Sequence, residues 1–344
     1  MAVRYSILVP VHNGGRLLEP CLQSLLASVR QASVARTGNL EVEIVCLDDG
    51  STDGSSAVLE LLSSSICLPT FDFRVARQAN GGVAAARNAA LALARGEYVL
   101  WCDADDFVRP EWLEEIDAAI VRWNEPDVLL FDSVWECGPS WRRRGSYGRR
   151  GGPLASRVYL LDLLRGTHVG CYLWQNAIRR SLFSGLRFDS SVDGLEDYML
   201  LPEILRRART VAYLPKALYA YRLREGSLSN GGNGQRLMWR CGTRLRDPAY
   251  WRQTEGSAAA AAATAGACAV AYNRCVSRVL GEHGRDVDNA ADAAFVRRRL
   301  GVLMFRSGVD FRWKLKFLLC ALGAMVVMRR RWQRLKAVRK AAMA

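Results

Sequence analysis

Residues 97–106 place a short apolar segment directly before three carboxylates, and they read Glu97-Tyr98-Val99-Leu100-Trp101-Cys102-Asp103-Ala104-Asp105-Asp106. The apolar segment is rich in residues that favour β-structure, so it predicts a buried strand. Clustered carboxylates are costly in a protein interior, but at the carboxyl end of a strand they can converge on a cation. Asp103 and Asp105 would leave an extended backbone on the same side. The pattern therefore predicts a Mg²⁺ or Mn²⁺ site that presents a nucleotide diphosphate, with an acidic turn before a helix as the alternative.

The composition is that of a globular protein with room for more than one unit. The chain has 344 residues, of which 50% are hydrophobic and 24% are charged, and this is enough for a full α/β core and a second unit. Its ten cysteines are scattered and form no C-x-x-C pair, which favours a reduced cytosolic protein with buried thiols over a zinc site. No signal-peptide pattern opens the sequence, because residues 1–4 lead straight into a strand-like segment.

The positive charge of the chain is concentrated at one end. The formal net charge is +14, and residues 295–344 hold 14 of the 48 Lys and Arg residues but only one of the 34 Asp and Glu residues. The preceding residues carry 34 basic and 33 acidic side chains, so that part of the chain is nearly neutral. An anionic surface partner is therefore expected at the C-terminal end and not at the carboxylate site.

Strand-like segments in the first third of the chain each end in a polar or glycine-containing loop. They span residues 5–11, 41–47, 73–76 and 97–102, and helical patterns lie between them. Strands and helices that alternate at intervals of roughly 30 residues indicate βαβ units. We therefore predict an α/β fold with a mixed, mostly parallel sheet and helices on both faces. The loops after the strands should meet at one edge of the sheet, where a ligand site is expected.

Four motifs, in this order and spacing, resemble those of a known enzyme family. They are Ser-Ile-Leu-Val-Pro-Val-His-Asn at 6–13, Leu-Asp-Asp-Gly-Ser-Thr-Asp at 47–53, Asn-Gly-Gly-Val-Ala-Ala-Ala-Arg-Asn-Ala-Ala-Leu at 80–91 and Cys-Asp-Ala-Asp-Asp at 102–106. Over about residues 4–230 the chain resembles the inverting family-two glycosyltransferases, which have the GT-A fold, a Rossmann-like α/β architecture. The family usually carries Tyr where this chain has His12.

The resemblance implies how a nucleotide-sugar donor is bound. Asp105 would bind the metal that bridges to the diphosphate, and Asp103 would contact the ribose or the metal through water. Asp49 would accept a hydrogen bond from the uracil imide, and Pro10 and Val11 would form the floor beneath the base. The predicted nucleotide contacts are Pro10, Val11, His12, Asn13, Asp49, Asn80, Gly81, Arg87, Asp103 and Ala104, and the predicted metal ligands are Asp105 and Asp103.

Catalysis is expected from a Glu-Asp pair later in the chain. In the resembling family such a pair supplies the general base, which implies that Asp197 takes the proton of the acceptor hydroxyl and that Glu196 orients or contacts the acceptor. The alternative is that both carboxylates interact with the dipole at the start of a helix. Two of the predicted nucleotide contacts also have a structural alternative. His12 could lie on a surface loop, and Arg87 could simply pair with the acidic loop.

The second half of the chain is predicted to complete the sheet and then to become helical. Residues 127–135, 211–214 and 217–223 predict strands. The arginine- and glycine-rich segment 138–153 is interpreted as a solvated loop, with a lid or a clamp for an anionic acceptor as the alternative. The composition shifts near residue 232, where an alanine-rich helical region follows. We therefore predict a glycosyltransferase domain at 1–231 and a helical C-terminal region at 232–344.

A basic segment at about 311–340 predicts association with a membrane surface. Its apolar run, 317–328, is shorter than the roughly 20 residues that span a bilayer. Lys and Arg flank the run on both sides, and Trp313 and Trp332 lie at its edges. The pattern favours a helix that lies on an anionic membrane, peripheral on the cytoplasmic face, with a buried core helix as the alternative. A nucleic acid partner is not expected, because no recognised motif accompanies the charge.

These features predict inverting transfer of a sugar from a nucleotide-sugar donor, a UDP-sugar by the resemblance, to a hydroxyl of a glycan or lipid-linked acceptor in cell-surface polysaccharide biosynthesis. A nucleotidyltransferase that makes a nucleotide sugar is a second interpretation, but residues 10–16 lack the phosphate loop that it normally needs. A non-catalytic sugar-nucleotide sensor or membrane scaffold is a third, and the intact carboxylates at all three sites argue against it.

Overall fold

The structure is a computed structural model that describes most of the chain. The described residues are 3–35, 40–65, 71–137, 140–145, 147, 150–166, 170–191, 196–222, 247–279, 289–306 and 309–321. By its internal contacts the chain divides into two compact units, Met1–Leu160 with Cys171–Gly234, and Leu161–Gly170 with Gln235–Ala344. The domain boundary predicted at 231/232 lies outside the described residues and stays a prediction.

Ten strands form one sheet among the described residues of the first unit. They are β1 (Tyr5–Val11), β2 (Val42–Asp49), β3 (Phe71–Gln78), β4 (Tyr98–Trp101), β5 (Phe107–Val108), β6 (Val128–Cys137), β7 (Ser140–Arg144), β8 (Gly152–Leu154), β9 (Asn176–Arg179) and β10 (Val211–Tyr221). The main path of the sheet runs β3-β2-β1-β4-β9-β6-β10-β5, while β7 pairs with β6 and β8 pairs with β10.

Strand direction places several loops at one edge of this sheet. β1 pairs in parallel with β2 and β4, and β2 pairs in parallel with β3. β9 is antiparallel to both β4 and β6, so β6 and its parallel neighbour β10 point the same way as β1. The loops that follow these strands therefore leave the same edge, where ligands bind in open α/β sheets. The mixed, mostly parallel sheet predicted from the sequence is confirmed.

Helices around the sheet supply the rest of the first core. The helices that begin before residue 208 are α1 (Gly15–Ala35), α2 (Ser55–Ser65), α3 (Val83–Leu93), α4 (Trp112–Arg122), α5 (Ser156–Arg165) and α6 (Glu196–Arg207), with short 3₁₀ turns at Leu173–Gln175 and Arg180–Phe183. In α1 the residues Leu18, Leu22, Leu25 and Val29 recur at helical spacing and are all buried. Burial of each such side chain contributes about 1.5–3 kcal/mol, which fixes the face of α1 that packs inward.

The last strand of the sheet differs from its prediction. Two strands were expected, at 211–214 and 217–223, whereas the structure has the single strand β10. Its pairing with β6 shifts register between Leu214 and Ala217 and again before Tyr219. Pro215 has no N–H to donate to the ladder, so the strand bulges there and continues instead of ending.

The second unit is helical where it is described. Its helices are α7 (Pro248–Val279), α8 (Asn289–Arg298), α9 (Leu300–Phe305) and α10 (Phe311–Ala321). The alanine-rich segment predicted as helix lies within α7, whose helical backbone is broken at Gly256, where φ is 82°. Cys268, Val296, Leu303 and Phe317 belong to one buried apolar cluster that joins the four helices.

Only the first part of the predicted membrane segment lies within the described residues. Phe317, Cys320 and Ala321 of α10 are buried in the helical cluster, while Phe311 is 76% exposed. Residues 322–340 lie outside the described residues, so association with a membrane stays a prediction. In the part of the chain that the structure describes, we find no helix with both the length and the apolar character needed to cross a bilayer.

Candidate active site

Loops at the carboxyl edge of the sheet carry the predicted donor-binding residues. β1 and β2 end in register, with Val11 beside Asp48, and Asp49 lies beside Gln78 at the end of β3. β4 runs alongside β1 in parallel, so the acidic loop that starts near Asp103 leaves the same edge. The fold therefore brings the loops that follow β1, β2, β3 and β4 to one edge, as parallel pairing requires.

The carboxylate of Asp49 binds the backbone of the loop that precedes α3. Its Oδ1 accepts hydrogen bonds from Gln78 Nε2 at 2.7 Å and from the Gly81 N–H at 2.9 Å, and its Oδ2 accepts from the Gly82 N–H at 2.9 Å. Gly82 has a φ of 83°, a conformation that favours glycine. Asp49 is buried, and its orientation is set by the amide donors around it.

The loops after β1 and β3 meet over the end of β2. His12 Nδ1 lies 2.9 Å from the carbonyl oxygen of Asp49, and Asn80 Nδ2 lies 3.2 Å from His12 Nε2. Asn13 adopts a φ of 49°, and its Oδ1 accepts from the Thr52 N–H at 2.8 Å. These predicted nucleotide contacts are therefore neighbours, and hydrogen bonds among amide, carbonyl and imidazole groups link them.

The remaining predicted nucleotide contacts lie at the end of β1 and in the acidic loop. Pro10 and Val11 are the last two residues of β1, Pro10 half-buried and Val11 buried. Ala104 is buried within the acidic loop. Glycine at position 50 lets the loop after β2 approach the next one closely, since a Cβ there would lie 2.8 Å from the Asn80 backbone nitrogen.

The acidic loop is anchored by Asp106 and Tyr219. Asp106 is buried and accepts hydrogen bonds from the Tyr219 hydroxyl and from the Arg222 N–H, both at 2.8 Å. The same hydroxyl accepts from the Asp103 N–H at 3.1 Å. Burial, together with the nearby carboxylates of Asp103 and Asp105, raises the pKa of Asp106 well above its ordinary value. Asp106 therefore holds the loop, while Asp103 and Asp105 are both half-buried.

One buried arginine joins the acidic loop to the predicted base. Arg87, in the second turn of α3, is 5% exposed. Its Nη1 contacts carboxylate oxygens of both Glu196 and Asp197 in the first turn of α6, and its Nη2 lies 3.3 Å from Asp103 Oδ1. Burial opposes the charge of Arg87, but the three carboxylates raise the pKa of its guanidinium above the ordinary value. Arg87 therefore contacts the acidic loop, which is one of its two predicted roles, and its predicted contact with the nucleotide stays a prediction.

Asp197 combines deep burial with a mixed electrostatic environment. Burial raises the pKa of its carboxyl to about 7, the Arg87 guanidinium lowers it in part, and the carboxylates of Glu196 and Asp103 raise it again. Its Oδ2 also accepts a hydrogen bond from the Leu173 N–H at 3.3 Å. A carboxyl group whose pKa lies near neutrality is suited to accept a proton in catalysis.

The chemistry of the acidic loop suits a hard divalent cation that is shared with a ligand. Within the described ranges, no three His, Cys, Asp or Glu side chains are grouped so that they could hold a metal ion by themselves. Mg²⁺ and its relatives are commonly held by one or two carboxylates together with substrate phosphates. Asp103 and Asp105, two residues apart and partly accessible, are a donor set of that kind.

Sequence reasoning missed two features of this edge. The contact of Arg87 with Glu196 and Asp197 joins residues 109 and 110 positions apart, and no local pattern reports it. A stack of aromatic rings around Trp174 and Tyr219 was also missed, because its members come from separate segments.

A mostly parallel sheet whose carboxyl edge gathers polar loops, carboxylates and a buried arginine defines a Rossmann-like α/β protein with a candidate ligand site at that edge. The chain belongs to glycosyl transferase family 2, whose model matches residues 6–186. The family expected from the four motifs is thereby confirmed.

Relatives with curated names agree with this family. The chain is 28% identical over 236 residues to the uncharacterized glycosyltransferase YibD of Escherichia coli K12, in an alignment that covers 66% of this chain and 63% of YibD. It is 32% identical over 210 residues to the succinoglycan biosynthesis protein ExoO of Rhizobium meliloti 1021, covering 58% of this chain and 57% of ExoO. The alignments therefore span less than two thirds of either relative.

A solved structure shares the fold over most of the chain. The crystal structure of Staphylococcus aureus TarS 1–349 in complex with UDP-GlcNAc matches 95% of this chain and 90% of that one, with a TM-score of 0.61 and 20% sequence identity. At this identity the likeness shows the fold alone, and it confirms the GT-A fold with a helical C-terminal region.

Proposed function

We propose that this protein transfers a sugar from a UDP-sugar to a hydroxyl group of a glycan or glycolipid acceptor, with inversion of the anomeric centre, in cell-surface polysaccharide biosynthesis. Membership of glycosyl transferase family 2 supports sugar transfer. The solved relative in complex with UDP-GlcNAc supports a UDP-sugar donor, and the relative named for succinoglycan biosynthesis supports a polysaccharide product.

The observation that carries this proposal is the buried contact of Arg87 with both Asp103 and Asp197. Asp103 belongs to the loop proposed to face the donor diphosphate, and Asp197 is the proposed base for the acceptor hydroxyl. Catalysis of sugar transfer requires both groups near one anomeric carbon, in a fixed geometry. A single guanidinium that contacts both carboxylates meets that requirement with side chains of this chain alone.

The donor nucleotide is assigned to the loops that meet over β2. Asp49 would accept from the uracil N–H, with Pro10 and Val11 beneath the base and His12 beside it. Asn13, Asn80, Gly81 and Ala104 line the same edge and complete the proposed contacts. Since Asp49 already accepts from two backbone N–H groups, its carboxylate is fixed in orientation before the base arrives.

Asp105 and Asp103 would hold a Mg²⁺ or Mn²⁺ ion together with the donor diphosphate. When bound, the ion supplies positive charge that stabilises the departing diphosphate. The residues of this chain do the rest: Asp106 and Tyr219 fix the loop, and Arg87 restrains Asp103 by a contact at 3.3 Å.

Asp197 would accept the proton of the attacking hydroxyl. Its pKa of about 7 allows the carboxylate to be present at neutral pH and still to take up a proton. Arg87 and the Leu173 N–H hold the two carboxylate oxygens, and Glu196 lies beside it as the residue that orients the acceptor. Attack from the side opposite the diphosphate would invert the anomeric centre.

Thermal-shift measurements against UDP-, GDP-, CMP- and TDP-sugars with Mn²⁺ test the donor assignment. A ligand that binds only the folded state raises the unfolding temperature, so a UDP-sugar should give the largest shift. A larger shift with another nucleotide, or release of pyrophosphate from a nucleoside triphosphate and a sugar phosphate, would contradict the proposal.

Two substitutions separate the proposed roles of the carboxylates. Asp197→Asn should lower transfer about 10²- to 10⁴-fold, the range of general base catalysis, with UDP affinity nearly unchanged. Asp105→Ala should instead abolish the Mn²⁺-dependent part of UDP affinity in calorimetry. Glu203→Gln, on the outer side of α6, is the matched control for both and should change neither. Full turnover by Asp197→Asn would remove Asp197 from the mechanism.

The same proposal places the protein on the cytoplasmic face of a membrane. The basic segment at about 311–340 would bind anionic lipid headgroups, each Lys or Arg near the surface contributing about 1 kcal/mol. Flotation with vesicles that contain phosphatidylglycerol, compared with neutral vesicles, tests this part. Equal recovery with both kinds of vesicle would contradict it.

A further inference from the structure

A stack of aromatic rings lies beside the candidate active site. The Trp174 ring is nearly parallel to those of Tyr219 and Tyr172, at centroid distances of 4.4 Å and 4.8 Å. Trp135 lies 4.7 Å from Tyr221, its partner in the pairing of β6 with β10. These five rings, which we call the aromatic stack, come from the ends of β6 and β10 and from the 3₁₀ turn before β9.

The aromatic stack is attached to both halves of the proposed chemistry. Trp174 follows Leu173, whose N–H donates to Asp197. Tyr219 donates its hydroxyl hydrogen to Asp106 and accepts from the Asp103 N–H. The stack therefore lies next to the proposed base and to the acidic loop, on the side of the sheet edge away from Asp49.

The inner rings of the stack are buried and the outer ones are accessible. Trp174 and Tyr219 are 3% and 0% exposed, whereas Trp135, Tyr172 and Tyr221 are half-buried. Two buried rings form a rigid base, and the partly exposed rings present apolar faces next to polar edges. Such a surface suits a sugar ring, whose C–H groups pack on an aromatic face while its hydroxyls reach polar neighbours.

Positive charge accompanies the accessible rings. The Arg144 guanidinium lies 4.8 Å from the centre of the Trp135 ring, and Arg142 is paired with Trp135 across β6 and β7. Alternation along a strand puts Arg142 and Arg144 on one face and Arg143 on the other, where it pairs with Asp132. Within the described residues neither Arg142 nor Arg144 has a carboxylate partner, and both are exposed.

We infer that the aromatic stack and these two arginines form the acceptor subsite, and that it takes an acidic glycan. The terminal sugar ring would pack on Trp135, Tyr172 and Tyr221, and a phosphate or carboxylate on that glycan would bind Arg142 and Arg144. Guanidinium groups bind such anions through two parallel hydrogen bonds. This inference rests on the proposed function and adds a substrate class to it.

Ligand-observed NMR titrations test this inference. Glucose, glucose 6-phosphate, glucuronate and inorganic phosphate are added separately to the full chain with saturating UDP and Mg²⁺, so that the donor side is filled. At least one of the two acidic sugars should bind tenfold or more tightly than glucose, and inorganic phosphate should bind weakly because it has no ring to pack. The two acidic sugars distinguish a phosphate-bearing acceptor from a carboxylate-bearing one.

Variants separate charge from stacking. The double variant Arg142→Gln/Arg144→Gln should reduce the preference for acidic sugars over glucose to twofold or less. Trp135→Leu should weaken the binding of glucose and of the acidic sugars alike, by fivefold or more. Arg30→Gln, an exposed arginine far along α1, is the charge-matched control and should leave the preference unchanged. The arginine variants carry the test by themselves if Trp135→Leu does not fold.

Equal affinity for glucose and both acidic sugars would overturn the inference, as would a preference that survives the double variant. UDP affinity, measured in the same samples, keeps the two proposals apart. Normal UDP binding without a preference for acidic sugars would contradict only the inferred acceptor subsite. Absence of UDP binding would contradict the proposed function. Sugar titrations without UDP would then still test whether the aromatic stack binds acidic sugars.

Discussion

The two halves of the candidate site are held together by different interactions. On the donor side, the loops at 12–13, 49–50 and 80–82 are joined by hydrogen bonds among amides, an imidazole and the single carboxylate of Asp49. On the catalytic side, Arg87 is buried against three carboxylates. Hydrogen bonds contribute about 0.5–1.5 kcal/mol each, or about 1.5–3 kcal/mol where one group is charged, whereas breaking a buried ion pair costs about 3–5 kcal/mol. Substitution should therefore cost less stability on the donor side than on the catalytic side.

The largest effect is expected from Arg87→Met, which keeps an unbranched, largely apolar stem and removes the charged guanidinium. Glu196 and Asp197 would then be buried without a cation, so the free energy of unfolding should fall by about 3–5 kcal/mol. Urea unfolding monitored by tryptophan fluorescence measures this loss. Arg206→Met, which removes a partly exposed pair within α6, is the matched control and should cost no more than about 0.5 kcal/mol. Equal losses in both variants would show that Arg87 is not the centre of this half.

An intermediate effect is expected from Asp49→Asn on the donor side. One carboxylate oxygen becomes an NH₂ group that faces a backbone N–H of Gly81 or Gly82, so about 1.5–3 kcal/mol of stability should be lost. The same urea titration measures it, and calorimetry should show weaker UDP binding. Asn80→Ala removes only exposed contacts of the neighbouring loop and should cost about 1 kcal/mol or less. A loss from Asp49→Asn larger than that from Arg87→Met would reverse the comparison.

Measured per pH unit, the smallest effect is the pH dependence that the carboxyl of Asp197 should contribute between pH 5 and 8. The pKa of Asp197 is raised from 3.8 to about 7 in the folded chain. Between these values the folded state keeps a proton that the unfolded state has lost, so stability falls as pH rises towards 7 and then levels off. The slope from this group is at most about 1.4 kcal/mol per pH unit.

Asp197→Asn provides the reference for that slope, because it removes this titration and leaves other acids such as Asp106 in place. The unfolding free energy of the wild type minus that of the variant should fall between pH 5 and pH 6, fall further towards pH 7, and be constant by pH 8. The transfer rate should rise with pH through about 7, since only the carboxylate can accept a proton. Parallel stability profiles for the two proteins would contradict the raised pKa.

The same division explains how much could be predicted from the sequence. Strand ends and the loops after them follow local patterns, so Asp49, Asn80 and Asp103 could be placed at one edge before any coordinates. Pairing of Arg87 with the acidic loop was one of its two predicted roles, but its contacts with Glu196 and Asp197 could not be predicted. They depend on how α3 meets α6, which lies more than 100 residues further on. The prediction of two strands at 211–214 and 217–223 was wrong, since a bulge at Pro215 and the end of a strand give the same local signal.

The aromatic stack escaped prediction for a related reason. Tyr219 and Tyr221 are ordinary strand residues by pattern, and Trp174 lies in a 3₁₀ turn whose position only the packed sheet defines. The acidic residues predicted the loop after β4. They gave no signal for the residue that anchors this loop, Tyr219, whose hydroxyl donates to Asp106. Contacts across the sheet are thus the part of the site that local periodicity does not encode.

Tyr219 contacts both the acidic loop and the aromatic stack, and these two contacts have a thermodynamic consequence for ligand binding. Its hydroxyl belongs to the acidic loop, while its ring belongs to the aromatic stack. Under the proposed function, a shift of the loop on diphosphate binding would move the Tyr219 ring, and a sugar packed on the aromatic stack would in turn restrain the loop. Linkage requires such cooperativity to be reciprocal: the factor by which UDP alters the affinity for an acceptor is the factor by which that acceptor alters the affinity for UDP.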